Sequence, residues 1–534
     1  MRKHFDLRSR VAEVVLAIAT AIAIAARPHI ASCAEPVPLN PTRLPVLGLV
    51  DERFQSFNVE MVEVTGGRFW APYRSPGSPA PEPAPSAQGS MPGLDPSLFR
   101  QRSPIDLSSP RLRKLAAALG PAYVRVSGTW ANSTYFHDSD AAAPAAPPTG
   151  FGGILTRQQW RGVVDFSRAV DGKIVTSFAV SNGTRDASGV WTAVEAQKVL
   201  TFTSAIGGHI AAAEFFNEPS FASIGGAPKG YDAASYARDF AVFLPFARKA
   251  APGMLILGPG SVGEAAPLSS TIALVPTREI LTATGPGLDV FSYHFYGAVS
   301  KRCAPLPGPA QTTPEAALSE GWLSRTDRDY AFYAALRDRF EPRKPLWLTE
   351  TGETACGGNP WASTFIDAFR YLDQLGRLAK RGVQVVAHNT LAASDYGLID
   401  EQTLTPRPDY WSALLWGKLM GRTVLDAGVA PTPSVHLYAH CLRNEPGGVA
   451  LLAINADREA AQELGVSQAS DRYTLAAPDL LGGRVNSNGR ELKLGPDDAL
   501  PEIKGEPERP GAIRLAPASI TFLAFPKAGN AACR

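Results

Sequence analysis

Short apolar runs separated by stretches of helical period set the layout of most of this chain. Eight runs have the length and composition of buried strands: 45–50 (PVLGLV), 123–126, 173–180, 210–216, 254–257, 289–295, 345–349 and 383–388. Helix patterns lie between them at 110–120, 157–170, 193–206, 232–250, 326–340 and 361–381. In the last, Phe365, Phe369, Leu372 and Leu375 keep helical spacing and Gly382 suits a left-handed cap. Strand and helix in alternation give parallel units, and eight of them point to a (β/α)₈ barrel, although periodicity alone does not decide closure. After a final helix at 409–420 the texture changes to short β-like runs such as GVALLAINA and SITFLAF, with hairpin chemistry at 486–489. The expected α/β architecture is a barrel over 35–420 followed by a β-sandwich over 421–534. Two stretches rich in Pro, Ser, Gly and Ala, 75–96 and 141–153, read as surface loops.

The N-terminus alters the charge and the redox reading. Arg2, Lys3, Arg8 and Arg10 precede an apolar run at 11–26, and small residues lead to Ala34. This is the pattern of a secretory signal peptide over 1–34, with a run short for a membrane span. Anchoring as a lipoprotein at Cys33 is a minor alternative, because Arg27, Pro28 and His29 separate its box from the apolar run. The chain has 52 basic and 50 acidic side chains; the first 34 residues hold five and two of these, which leaves 47 against 48. Net charge gives no case for nucleic acid, while local basic clusters could still meet an acidic polysaccharide. Nothing later in the chain has the length to span a bilayer. Export permits disulfides, and Cys303, Cys356, Cys441 and Cys533 show no metal-ligand spacing, so two bridges and no metal are expected.

Candidate chemistry sits where apolar runs end on acids. AAAEFFNEP (211–219) ends on Asn217-Glu218, and PLWLTETG (345–352) carries Glu350. These are the fourth and seventh strand candidates, and a barrel keeps its chemistry at the carboxyl ends of its strands. Hydrolysing a glycosidic bond requires one carboxyl group that holds a proton and one that stays ionised. Alone, either residue reads as an ordinary strand-end or cap residue; the ordered pair reverses that. Glu350 is preferred over Glu353 as nucleophile because it ends the apolar run directly. Glu218 is then the acid/base, with the Asn217 amide beside it for a sugar 2-hydroxyl. Tyr293, Tyr296, Trp347, Tyr396 and Trp130 are candidates for pocket walls, and His294 reads as a satisfied polar group at a strand end.

The stretches YVRVSGT (123–129), FFNEPSF (215–221), SYHFYG (292–297), WLTET (347–351), DYGLIDE (395–401), PDYW (408–411) and AFPKAGNAAC (524–533) resemble glycoside hydrolase family 79, the heparanases and β-glucuronidases. The resemblance implies a retaining enzyme that cleaves β-glucuronosyl linkages in glucuronate-containing glycans such as heparan sulfate, without cofactor, as a monomer. It implies Glu218 as acid/base, Glu350 as nucleophile and Asn217 as a sugar contact. A glucuronate carboxylate would be held by backbone amides of Gly357 and Gly358 and the hydroxyl of Tyr396. Asp51, Thr129 and Tyr296 match further sugar-contacting positions, and Asn389 stands near a position where the family has Gln. Cys441 and Cys533 match a pair bridging the sandwich to the C-terminal tail; a Cys303–Cys356 bridge is a hypothesis from their shared position in loops. Mammalian members carry a long excised segment where this chain has only 141–153, which implies a single chain active without excision. Other readings stay open: an exo-β-glucuronidase on small or plant-type glucuronosides, a neutral-sugar glycosidase of the same clan, and a non-catalytic carbohydrate-binding protein.

Overall fold

The computed structural model describes residues 38–73, 95–222, 224–265, 274–303 and 311–534, and Leu39–Arg534 form one compact unit. The signal-peptide region with Cys33, and most of the loop at 75–96, lie outside the described residues. No helix among the described residues is long and apolar enough to cross a membrane.

Eight parallel strands close into a barrel: Gln55–Glu60, Ala122–Ser127, Gly172–Ser177, Ile210–Glu214, Leu255–Ser261, Val290–Tyr296, Leu346–Gly352 and Val385–His388. The run at 45–50 is not one of them. Val46–Leu49 pairs antiparallel with Met420–Leu425 at the edge of the C-terminal sheet, where Val46, Leu47 and Leu49 are 50, 46 and 58% exposed. An edge strand leaves one side unpaired, so its apolar content does not report burial. The first barrel strand is instead Gln55–Glu60, a run of lower apolar content. The short loop at 141–153 links Thr134–His137 to Gly153–Thr156, two strands that pair with each other outside the barrel.

Period-two alternation stacks side chains inside the barrel. Tyr123, Val175, Ala212, Leu257, Val290, Trp347 and Val385, one from each of seven strands, form the apolar floor, with the Tyr123 and Trp347 rings 4.7 Å apart. Two residues further along the second and fourth strands the same alternation brings in Arg125 and Glu214, both essentially inaccessible. An apolar floor thus carries a charged layer, and that layer is the base of the active-site cleft.

From Met420 onward the chain adds eight strands that, with Val46–Leu49, make a sheet of nine, and a two-stranded sheet, Gln462–Val466 and Gly511–Leu515, lies beside it. Leu437, Ala439, Leu451, Ala453, Leu523 and Phe525 meet Leu464, Val466, Ile513 and Leu515 in the sandwich core. Residues of alternate parity, including Tyr438, Leu452 and Phe522, join the barrel's own core. Both faces of the central strands are therefore covered, which explains why VALLAIN (449–455) reads as one continuous apolar run. The seat is close: a Cβ on Gly376 of the helix Phe365–Lys380 would lie 2.3 Å from the Tyr438 ring.

A charged lock holds that seat. Asp373 accepts from His436 Nδ1 and Tyr438 Oη, each at 2.5 Å, and from Arg377 Nε at 2.6 Å. Arg377 also reaches Glu320 and Asp327, and His436 Nε2 lies 3.4 Å from Glu320. Burial would depress the His436 pKa, but the bond and charge of Asp373 outweigh it and raise it. A raised histidine contributes stability that is complete below its unfolded pKa of about 6.5 and is lost as pH rises through the folded value. Asp373, held below the usual carboxylate range despite its burial, contributes at neutral pH and loses its part only in acid. The melting temperature should therefore fall more between pH 6 and 9 in the wild type than in His436→Gln. Parallel pH dependence in the two proteins would remove His436 from the lock.

Candidate active site

Arg125 organises the charged layer. Its guanidinium donates to Glu214 Oε2 from Nη2 at 2.8 Å, to Glu350 Oε2 from Nη1 at 2.9 Å, and to Asn217 Oδ1 from Nη2 at 2.8 Å. Glu214 reaches it by alternation from Ala212. Glu350 arrives by an irregularity: pairing of the sixth and seventh strands shifts from Tyr293–Leu348 to His294–Glu350. Such a bulge re-aims side chains near active sites, so Glu350 turns in beside Thr349, which alternation from Trp347 already points inward and whose Oγ1 donates to Glu214 Oε1 at 2.8 Å. Glu350 further accepts from Tyr296 Oη at 2.8 Å.

Glu218 enters beyond the end of the fourth strand. Phe215 and Phe216 pack outward on Tyr236, and Asn217 is fixed by Asn132 through both its N–H and its carbonyl, each at 2.8 Å. Glu218 itself has φ of 51°, a left-handed conformation costing on the order of 1–3 kcal/mol, of the kind found at functional sites. Pro219 then starts a 3₁₀ turn, Pro219–Phe221. His294 Nδ1 lies 3.0 Å from Glu218 Oε1. One oxygen of Glu218, one of Glu350 and a ring nitrogen of His294 all lie within 4.8 Å of one another.

The layer holds four carboxyl groups, Glu60, Glu214, Glu218 and Glu350, against two basic side chains. Burial pushes Glu218 up, and the charge of Glu350 adds to this, against the lowering effect of the His294 bond. Burial, then Glu350, pushes Glu60 well above the usual range. Glu214 resists burial because Arg125 and His294 hold it far below that range. Burial would lower His294, yet the charge of Glu350 and bonds to Glu214 and Glu218 outweigh it and bring it to about 9. Glu350 receives the donors that suit an ionised carboxylate. Arg125 and His294 then face Glu214 and Glu350, while the surroundings of Glu218 and Glu60 favour their protonated forms. The spacing of Glu218, His294 and Glu350 would also suit a cation, but it would have to displace the His294 proton and face the Arg125 guanidinium.

Most of the residues singled out in the sequence gather here. Asn389 Nδ2 donates to Tyr296 Oη at 2.9 Å and to Tyr396 Oη at 3.2 Å, so these three line one wall beside Glu350. Gly358 abuts Tyr396, where an added Cβ would sit 3.2 Å from its amide nitrogen. Thr129 follows the second strand at the same end of the barrel. Asp51 does not join them. Its amide donates to Gln384 O before the eighth strand, and its carboxylate accepts from Arg53 N, which puts it at the amino end of the strands, away from the chemistry. Asp51 is a candidate by resemblance alone and also stands at the end of the misplaced first strand; the acid that ends the true first strand is Glu60. Trp347 belongs to the barrel floor, and Tyr293 faces outward onto Tyr333 at 4.9 Å; neither is a pocket wall. Glu353 is spent on its own loop, accepting from Asn359 N and Thr354 Oγ1 at 2.8 Å.

Arg125, Glu214 and Glu60 were not found as site residues, and each left a trace. Arg125 is a lone charge inside an apolar strand, Glu214 is an acid at the inward parity of AAAE, and Glu60 ends FNVE. Glu60 also explains Gly128, where a Cβ would lie 1.5 Å from Glu60 Oε2. Two disulfides are present: Cys441–Cys533, with Cα atoms 5.3 Å apart, and Cys303–Cys356, with Cα atoms 6.5 Å apart.

Similarity to known proteins agrees with this geometry. The chain is 27% identical over 383 residues to heparanase-like protein 1 of Arabidopsis thaliana, covering 68% of this chain and 67% of that protein. It is 29% identical over 492 residues to heparanase of Mus musculus, covering 80% and 88%. Among solved structures, a 4-O-alpha-L-rhamnosyl-beta-D-glucuronidase from Fusarium oxysporum shares the fold with a TM-score of 0.59 at 13% identity, covering 91% of this chain and 99% of that one. The family model for glycosyl hydrolase family 79, N-terminal domain, matches residues 103–376, more than half of the chain and the whole span from the second barrel strand past Glu350. The chain belongs to glycosyl hydrolase family 79.

Proposed function

We propose that this glycoside hydrolase is a retaining β-glucuronidase of heparanase type, with Glu350 as nucleophile and Glu218 as acid/base. The observation that carries the reading is the approach of the two carboxyl groups, with oxygens within 4.8 Å. Retaining enzymes hold them about 5–5.5 Å apart and inverting ones about 6.5–9.5 Å, the difference being room for a water. Arg125 and Tyr296 orient Glu350 for attack on the anomeric carbon, while Glu218 gives its proton to the leaving oxygen. Once the glycosyl group is bonded to Glu350, Glu218 is ionised and takes a proton from the water that releases it. Asn217 Oδ1 accepts from Arg125, which leaves the amide nitrogen to donate to a sugar hydroxyl.

Glucuronate is favoured because the Tyr396 hydroxyl lies in the wall beside Glu350 and the glycine turn abuts Tyr396 through Gly358, so that this hydroxyl and the Gly357 amide are neutral donors available to an anion. Thr129 and Asn389 line the same sugar site, and the polymer partner is a glucuronate-containing glycan. We also propose export through the segment 1–34, and activity as a single chain because only 141–153 occupies the position of the excised segment.

The test is a timed digest of a heparan-type oligosaccharide with β-glucuronosyl linkages, a glucuronate non-reducing end and a reducing-end label, followed by mass spectrometry. Free glucuronate appearing first makes the enzyme exo-acting; internal fragments first make it endo-acting. No cleavage of this glycan or of any aryl β-glucuronide would overturn the reading.

A further inference from the structure

The glycine turn beside Tyr396 is held in an unusual backbone state. Cys356, Gly357 and Gly358 have φ of 65°, 83° and 84° in succession. For Cys356 the left-handed region costs roughly 1–2 kcal/mol, so its surroundings must over-determine it. They do so in two ways. The loops after the sixth and seventh strands run side by side: Ala355 N donates to Ala298 O and Ser300 N to Ala355 O, both at 3.0 Å. The Cys303–Cys356 bridge then joins them covalently.

Arg302, next to the bridge, ties in two more segments. Its guanidinium donates to Asp395 Oδ2 at 2.5 Å, to Gly358 O at 3.4 Å and to Ala71 O, and it lies 4.1 Å from the centre of the Tyr73 ring. Both glycine carbonyls are engaged. Gly357 O accepts from Ser394 Oγ at 2.9 Å and Asp395 N at 3.1 Å, and Gly358 O from Ser300 Oγ at 2.8 Å. Of the two amides, Gly358 N–H donates to Thr354 O at 3.2 Å. Gly357 N–H is buried and has no partner among the described residues. A buried backbone donor without a partner is rare and costly, and a bound anion would satisfy it. That N–H belongs to the Cys356–Gly357 peptide, whose plane is fixed by the bridged residue.

We propose that Arg302 and the Cys303–Cys356 bridge are positioning elements that aim the Gly357 amide at the carboxylate of the sugar and so set the preference for a uronic acid over a neutral sugar. This rests on the β-glucuronidase reading. The two Nη groups of Arg302 are committed to Asp395 and to two carbonyls and only Nε is without a partner, so its part here is to hold the turn rather than to offer a fork to the anion. Loss of either element lets the Cys356–Gly357 peptide turn, and the carboxylate loses a hydrogen bond that no neutral sugar makes.

The experiment compares the wild type, the double variant Cys303→Ala/Cys356→Ala and the single variant Arg302→Ala on 4-nitrophenyl β-glucuronide and 4-nitrophenyl β-glucoside. Both variants should raise KM for the glucuronide by roughly 10- to 100-fold, the worth of a hydrogen bond to a charged group, with kcat within about threefold. KM for the glucoside should not move. Unchanged glucuronide KM in the variants, or equal losses on both sugars, would overturn the proposal while the functional reading stands. A wild type without preference for the glucuronide would overturn both. If the double variant fails to fold, Arg302→Ala, which keeps the bridge, decides alone.

Discussion

Glu350→Gln should fold like the parent and lose about four or more orders of magnitude in kcat, on every β-glucuronide whatever its leaving group. Removing a nucleophile from a preorganised site typically costs this much, and Gln keeps the volume and one acceptor oxygen for Arg125, with its NH2 turned to donate to Tyr296 Oη. Glu218→Gln should behave differently. An aryl glucuronide with a strongly acidic phenol leaves without protonation, so its glycosylation step should survive far better than that of an alkyl glucuronide. The glycosyl-enzyme should then accumulate, because no base activates the water. The check is kcat/KM for both variants across leaving groups, with intact-protein mass spectrometry for the trapped adduct. Equal leaving-group dependence in the two variants would mean that the roles are wrongly divided. Near-normal turnover by Glu350→Gln would remove it as nucleophile altogether.

Both acids were legible in the sequence for a simple reason: each ends an apolar run, and a chain that breaks a buried pattern with a carboxylate at a strand end marks the mouth of a barrel. Seven of the eight barrel strands could be read the same way, from runs of apolar residues between helices. The first could not. Gln55–Glu60 points Ser56, Asn58 and Glu60 into a polar part of the interior, so it lacks the apolar signature that the edge strand Val46–Leu49 happens to have. The misplaced strand left Glu60 out, and it gave the resemblance at Asp51 a strand end that is not at the site. Alternation was also misleading at Trp347, because period two alone does not say how deep in the barrel a side chain lies. Arg125 and Glu214 stayed hidden for another reason. Their role is to balance charge among four carboxyl groups drawn from the ends of three different strands, and that balance exists only once the barrel has closed.

Arg125→Leu is the substitution with the largest expected effect on stability, since it removes the cation at the centre of that balance. Three partners lose a donor at once, and Glu214, inaccessible to water, is left with His294 as its remaining cationic partner. Removing one partner of a buried ion pair costs roughly 3–5 kcal/mol, far more than the net worth of the pair, because the remaining charge is stranded. The variant should melt well below the wild type and show no measurable turnover, as Glu350 loses its orientation. Arg125→Lys should recover part of the stability but little activity, because an ammonium cannot fork to Glu214, Glu350 and Asn217 together. A double-mutant cycle separates the stranded charge from lost packing. Adding Glu214→Gln to Arg125→Leu should restore stability, whereas Glu214→Gln alone should lower it. Melting temperatures of the four proteins provide the measurement. Additive losses would mean that Arg125 acts through packing, and an Arg125→Leu protein as stable as the parent would refute the charge balance around Arg125.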